Sequence, residues 1–415
     1  MKTDKLIAAI LIAALLVLAL PASANSANDD WPMFRRDPSH TGASATAPPT
    51  TPVAQLWNFT VNATVWSSPA LADSCIYMGA WDGNMYCLSA SNGTKLWSHQ
   101  TGGDIEYSSP AVADGRVYVG SDDHRLYCLQ AATGRELWDF TTGGIVRASP
   151  TVAEGDVYFG SWDGNIYCLD VSTGAKIWGF QAGGLVDASP AVAEGYAYAA
   201  STNGNIYCLN ASSGSQVWSY LTPGPVYSSP ALAGGYVYFG SGDGNVYCLN
   251  ASSGRSVWNF STSDFVTSSP AIANGYVYVG SEDNNVYCLD AVTGKEVWNF
   301  QTGYWVTASP VVAGGCVYVG SQDYNVYCLN ASTGSELWSY ETIGPIYSSP
   351  IVGKGAVYVP SANGVLYALG ASSGATETST LMPKPHLASL LVISSTAVII
   401  VAILAIAFVM GRKHS

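Results

Sequence analysis

Basic residues are scarce in this chain. Only 16 of its 415 residues are Lys or Arg, against 29 Asp and Glu, and the formal net charge is -13. A protein that grips phosphate backbones needs clustered cations, so nucleic acid is excluded as a partner. Charge of either sign is thin, at 11% of residues, while 48% are hydrophobic. That balance excludes a disordered chain and leaves the surface to Ser, Thr, Asn and Gly. Histidine is nearly as rare: His40, His99, His124, His386 and His414 are scattered, with neither zinc-ligand spacing nor a nucleophile implied beside any of them. No Gly-rich phosphate loop opens a helix. No metal centre is expected.

Long apolar runs occur only at the two ends. Lys2 and Lys5 precede LIAAILIAALLVLAL and then Ala22-Ser23-Ala24, the shape of a secretory signal peptide over residues 1–24. No cysteine follows that run, which argues against a lipid anchor. Residues 25–53 read as a leader and 375–386 as a linker. Leu387 to Met410 is long enough to cross a hydrocarbon core about 30 Å thick. Arg412 and Lys413 come next, which places the tail, 411–415, in the cytoplasm. The expectation is a single-pass protein of the cell membrane, its folded part on the extracellular side.

Between these ends the chain repeats. Pro follows Ser at 69, 110, 150, 190, 230, 270, 310 and 350, and Trp recurs at 57, 97, 138, 178, 218, 258, 298 and 338. A period near 40 with β character belongs to propeller blades. The copy SSPAIANGYVYVGSEDNNVYCLDAVTGKEVWNF (268–300) holds four alternating runs separated by Asn-Gly, Asp-Asn-Asn and Thr-Gly turns, hence four strands. The first Trp, in AQLWNFT (54–60), precedes any Ser-Pro, and the last copy ends at YALGASSG (367–374) without a Trp strand. A split copy of this kind lets a ring close and hide its edges. The fold class is therefore all-β: an eight-bladed β-propeller of four-stranded blades over 54–374, closed by the N-terminal strand, with a C-terminal transmembrane helix beyond it.

The phrase YCLDAVTGKEVW (Tyr287 to Trp298), in eight in-register copies, resembles the tryptophan-docking motif of the pyrroloquinoline-quinone (PQQ) repeat propellers. The resemblance implies that Trp57, Trp97, Trp138, Trp178, Trp218, Trp258, Trp298 and Trp338 dock between neighbouring blades. The leader WPMFRRDPSHTG (31–42) is similar to the opening segment of surface proteins with these repeats. Enzymes of the family carry PQQ with calcium on the propeller axis, commonly beside a disulfide of adjacent cysteines, and elaborate their blades with long insertions. This chain has no adjacent cysteines, and every repeat stays near 40 residues. It is thus more similar to the non-catalytic branch, which includes the bacterial outer-membrane assembly lipoprotein and holds partners. A PQQ-dependent oxidoreductase is the alternative.

Seven of nine cysteines (87, 128, 168, 208, 248, 288 and 328) share the Tyr-Cys-Leu slot, and Ala368 fills the eighth. The slot takes a small apolar group, so buried free thiols are expected. Cys75 with Cys87 and Cys316 with Cys328 share hairpins, but a turn centred on Asp82-Gly83 sets Cys87 opposite Met78.

Where the copies agree, the fold explains them; where they differ, a site can hide. Three residues before the repeat Pro the chain reads Trp66, Tyr107, Arg147, Asp187, Tyr227, Thr267, Thr307 and Tyr347. This position is expected at the mouth of the central channel, together with Trp81, Trp162 and Trp305 from turns on the same face. Aromatics and Arg dominate binding hot spots, so these residues are the candidate surface for a surface protein or glycan. The structural alternative pairs Arg147 with Asp187 between blades. The turn acids, Asp82 through Asp323, are expected to cap their own backbone. Sequons at Asn58, Asn62, Asn92, Asn210, Asn250, Asn259 and Asn330 are candidate N-glycosylation acceptors.

Overall fold

The structure is a computed structural model that describes residues 30–45 and 53–371. The expected signal peptide, transmembrane helix and cytoplasmic tail fall outside the described residues; among those described, no helix is long and apolar enough to cross a membrane.

The repeat becomes eight four-stranded antiparallel blades. In the copy quoted above the strands are Ala271–Ala273, Tyr276–Gly280, Asn285–Asp290 and Glu296–Gln301, paired in that order. Asn274 and Gly275 join the first two with φ of 52° and 82°, the left-handed pair of a type I′ hairpin. The two middle strands are buried on both faces, because each blade is sandwiched between two others: Val277, Val279 and Leu289 are fully covered, as are Tyr278, Val286 and Cys288 on the alternate face. The outermost strand slips register between the Cys288–Trp298 and Leu289–Glu296 pairs. This bulge leaves Val297 exposed while Trp298 is buried. At the seam Val53–Thr60 pairs antiparallel with Val365–Ala371, Trp57 opposite Ala368. The N-terminal strand supplies the outer edge of blade 8, as the split copy predicts.

Each outer-strand Trp reaches into the next blade. Trp258 Nε1 donates to the Ala291 carbonyl at 3.0 Å, and the Tyr238 hydroxyl donates to the same oxygen at 3.2 Å. Trp97, Trp138, Trp178, Trp218 and Trp298 repeat the bond onto Ala131, Val171, Ala211, Ala251 and Ala331. Across the seam Trp57 and Tyr358 share the Ala90 carbonyl at 3.1 and 3.3 Å. Gly294 lies against the Trp258 ring with φ +69°, and a Cβ there would stand 2.6 Å from Cδ2. The Thr-Gly turn thus needs glycine both for its conformation and for the space. Trp338 departs from the pattern: its indole nitrogen is buried without a partner among the described residues.

All nine cysteines are free. Burial pushes thiols such as Cys128 and Cys288 up to about 12, which keeps them protonated and unreactive. The expected register is corrected by one residue: Cys87 faces Tyr77, not Met78. Gly79 pairs with Met85 and Ala80 N–H donates to the Asn84 carbonyl, so the hairpin is centred on Asp82 itself, half a residue earlier than expected.

The leader is an internal part of the ring. Trp31 and Leu71 exchange both backbone hydrogen bonds at 2.8 Å. The carbonyls of Pro32, Pro38, Ser39, Thr41 and Gly42 then accept from Val112, Val192, Leu232, Ile272 and Val312 in turn, and Ala43–Ser44 adds in parallel to Val311–Ala313. The innermost strands would otherwise present unpaired N–H groups to the channel. Arg35, 2% exposed, donates to the carbonyls of Pro310 and Pro270 at 2.5 and 2.7 Å. His40, fully buried, bridges Pro230 O at 3.2 Å and Thr151 Oγ1 at 3.0 Å.

Candidate functional site

The serine of each Ser-Pro builds a ring. Ser68 N–H donates to Ser109 Oγ at 3.1 Å, and the same bond runs on through Ser149, Ser189, Ser229, Ser269 and Ser309 to Ser349. Ser349 N–H donates back to Ser68 Oγ at 2.9 Å and closes the circle. All eight serines are buried, and all eight line a central cavity of about 610 Å³. Phe34, carried by the leader across the other end of the inner strands, contributes its floor; the His40 ring supports Phe34 edge-on at 5.7 Å.

All eight residues that precede the repeat Pro by three line this cavity, so the variable position does point into the channel mouth. Its walls differ around the ring. Across blades 2 to 4 they are ionic. Arg147 grips Asp122 through Nε and Nη2 at 3.2 and 2.8 Å, contacts Glu106 through the same Nη2, and lies 4.4 Å over the Trp162 ring and 5.7 Å over Tyr107. Burial pulls its pKa down, but the Asp122 hydrogen bonds together with the charges of Glu106, Asp122 and Asp187 raise it by more, so the guanidinium stays charged. Burial pushes the Glu106 carboxyl up to about 7, against the pull of Arg147. Asp122 holds the guanidinium through two hydrogen bonds, and Glu106 adds a further contact on the same nitrogen. Asp187 does not bond Arg147 directly; it accepts the Trp162 indole N–H, and burial raises its pKa. The simple Arg147–Asp187 pair is thus replaced by a chain Glu106, Asp122, Arg147, Trp162, Asp187.

Across blades 5 to 8 and into blade 1 the walls are aromatic. Tyr227, Phe265, Trp305 and Tyr347 line this side; Tyr227 and Trp305 are 43% and 38% exposed, Trp305 with one face stacked on Tyr304 at 5.2 Å. Trp66 sits between Tyr107 and Tyr347 at centroid distances of 5.0 and 4.9 Å. Trp81 is set apart: it packs edge-on against Trp66 at 4.4 Å and is not among the residues that line the cavity. Glu282 accepts from Thr267 Oγ1 at 3.1 Å, and burial raises its pKa.

Most of the turn acids cap their own hairpins: Asp243, Asp283 and Asp323 each accept the N–H two residues on and a Tyr hydroxyl, whereas Asp122 and Glu282 accept from Arg147 and Thr267 instead. Of the sequon asparagines, Asn58, Asn62, Asn92 and Asn259 are exposed. Asn210, Asn250 and Asn330 are half-buried and use Oδ1 to cap the turn before the Trp strand.

Sequence reading missed Glu106, Phe265, the serine ring and the leader's floor, and took Glu282, placed on the right face, for a turn cap. The invariant Ser before each Pro was the available signal for the ring. Nothing local distinguished Glu106 or Glu282 from ordinary turn acids.

The family described as outer membrane protein assembly factor BamB matches residues 49–111, 106–185, 162–265 and 242–410. No curated protein matches the sequence. Among solved structures, a europium-containing methanol dehydrogenase superposes with a TM-score of 0.74 at 14% identity, over 83% of this chain and 98% of that one. BamB from Moraxella catarrhalis superposes with 0.67 at 20% identity, over 79% and 100%. A quinohemoprotein alcohol dehydrogenase from Comamonas testosteroni gives 0.74 at 16%, over 86% and 83%. At these identities the likeness is one of fold.

The residues around the axis do not fit PQQ with calcium. Among the described residues no three His, Cys, Asp or Glu side chains converge to hold a metal ion, and Asp187 and Glu282 belong to different blades. No cysteine lines the cavity. The one cationic side chain that does, Arg147, is already held by Asp122 and Glu106.

Proposed function

Because the chain belongs to the PQQ-like propeller family of the assembly factor BamB, we propose that it is a binding scaffold that performs no chemistry of its own. It receives a protein or glycan partner in the aromatic cavity at one end of the propeller axis. The observation that carries this reading is convergence: all eight copies of the variable position three residues before the repeat Pro line one cavity, while docking residues elsewhere are nearly identical from blade to blade. In a repeat fold the copy-to-copy agreement serves stacking, so variation confined to one concave, aromatic-lined place is what a binding surface requires. In the same proposal the apolar run 387–410 anchors the propeller at the cell surface.

The test uses the full-length protein with a photo-crosslinking amino acid at Tyr227, in the cavity mouth, or at Leu96, on the outer rim. Adducts from Tyr227 and none from Leu96 support the reading. Equal adducts at both positions refute the site. Titration with PQQ and calcium chloride, followed by tryptophan fluorescence and dye reduction with alcohols, tests the oxidoreductase reading; saturable binding with turnover would overturn the scaffold.

A further inference from the structure

Two sets of polar groups face the cavity with bonding capacity unspent. The first is the serine ring. Each Oγ accepts one N–H from the preceding blade, and none of the eight hydroxyls donates to an acceptor among the described residues. These side chains are more than nine-tenths buried, with Ser109 at 2% and Ser189 at 3% exposure, and they line the cavity. Buried hydroxyls without acceptors call for a partner. The second set is of acceptors: Asp187 and Glu282 each have one oxygen engaged, by Trp162 and Thr267, and the other without a donor among the described residues. The same cavity is lined by the partly exposed rings of Trp305, Tyr227 and Phe265, Trp305 with its other face on Tyr304.

We propose that the occupant of this cavity is the end of a neutral carbohydrate chain. The inference rests on the binding reading above and names the chemistry of the ligand. A cationic side chain answers the rings and the acids but has no acceptor to offer the serine hydroxyls, since an ammonium or guanidinium only donates. A simple anion answers the serines and meets Asp187 and Glu282 with repulsion. A sugar ring satisfies every surface at once: its hydroxyls accept from the serines, donate to the carboxylates, and its C–H faces lie on the aromatic rings. A cavity of about 610 Å³ falls within the range of sites that enclose small ligands. The dry walls that raise Asp187 and Glu282 also favour a ligand without net charge.

The experiment applies full-length protein, labelled at its exposed surface, to a broad printed glycan array. It is followed by fluorescence titration with the best soluble oligosaccharide and, separately, with hexalysine. The expected result is saturable binding of a neutral glycan whose dissociation constant is unchanged between low and high salt. Trp305→Ala and Glu282→Gln, both at the cavity wall and away from the blade-docking contacts, should each weaken it at least tenfold, with the urea midpoint unchanged. Absence of any bound glycan overturns the proposal. So does hexalysine binding that falls with salt while no glycan binds, which would make the site one for basic peptides. If the Tyr227 crosslinks persist in either case, the scaffold reading stands and only the carbohydrate assignment fails.

Discussion

The docking of Trp218 against Gly254 can be dissected by a double-mutant cycle. Trp218 is 9% exposed, and its Nε1 donates to Ala251 O at 2.8 Å. Trp218→Ala should cost about 3–5 kcal/mol. The carbonyl left behind is not orphaned, because the Tyr198 hydroxyl still donates to it at 3.3 Å. Gly254 has φ +67°, and a Cβ on it would lie 2.6 Å from Trp218 Cδ2 and 2.7 Å from Cε3. Gly254→Ala therefore carries about 1–2 kcal/mol for the left-handed backbone and about 1–3 kcal/mol for overlap with a ring that has nowhere to go. Gly275→Ala isolates the first part, since φ there is +82° and no atom lies within 4 Å of the added Cβ. In the double variant the ring is gone and only the backbone part of Gly254→Ala remains. The double should then be more stable than the sum of the singles by about 1–3 kcal/mol, the overlap itself. The assay is the urea midpoint by far-ultraviolet circular dichroism, compared at equal m. If Gly254→Ala is no more destabilising than Gly275→Ala, or if the cycle is additive, the close-approach account of the Thr-Gly turn is wrong.

Three further outcomes are expected. Burial lowers the His40 pKa from 6.5 to about 3, so the unfolded chain takes up a proton below pH 6.5 that the folded one refuses, and stability falls as pH drops through that window; the loss is roughly 3 kcal/mol by pH 4. Glu106, raised to about 7, acts in the opposite sense, so the informative measurement is the difference in urea midpoint between wild type and His40→Gln from pH 7 to pH 4, and parallel profiles would exclude His40 as the source. Arg35→Met removes the donors to Pro310 and Pro270 and should lower stability by about 3 kcal/mol or more; a loss below 1 kcal/mol in thermal unfolding would mean that the guanidinium does not tie the leader to the ring. Arg147→Met should raise the Glu106 pKa further above 7 when read by carboxyl carbon NMR, because the one group that opposes the burial shift is removed; a fall would contradict the assigned contact.

The ring was legible because its signals are repeated and local. Asn274-Gly275 names its own hairpin, and the missing Trp after Tyr367 names the seam. The channel-mouth position was legible from variation among copies, since inner-strand direction is fixed once Ser-Pro is placed. What escaped was information that no single copy holds. Trp81 and Trp162 occupy equivalent turn positions, yet only Trp162 reaches the cavity; a period cannot tell them apart. The bond from Ser349 to Ser68 joins residues 281 positions apart, and Glu106 meets Arg147 only once two blades stack. The leader's role was hidden because most of its partners are backbone groups, which carry no sequence identity.

The placement of the leader makes the propeller a lock worked from one side. Residues 31–44 thread the inner strands, while Val53–Thr60 clasps the outer edge of the last blade. Hub pin and rim clasp are thus consecutive pieces of one short stretch, and neither finds its partners until the repeats between are in place. Assembly must finish with that stretch engaging at both radii. A pull on the chain just ahead of Trp31 loads the pin first, peeling hydrogen bonds from six blades before any force reaches the clasp. A pull at Ala371 loads the clasp directly, at its terminal pair with Val53. The ring should therefore open differently from its two sides, clasp first from the rim and pin first from the hub.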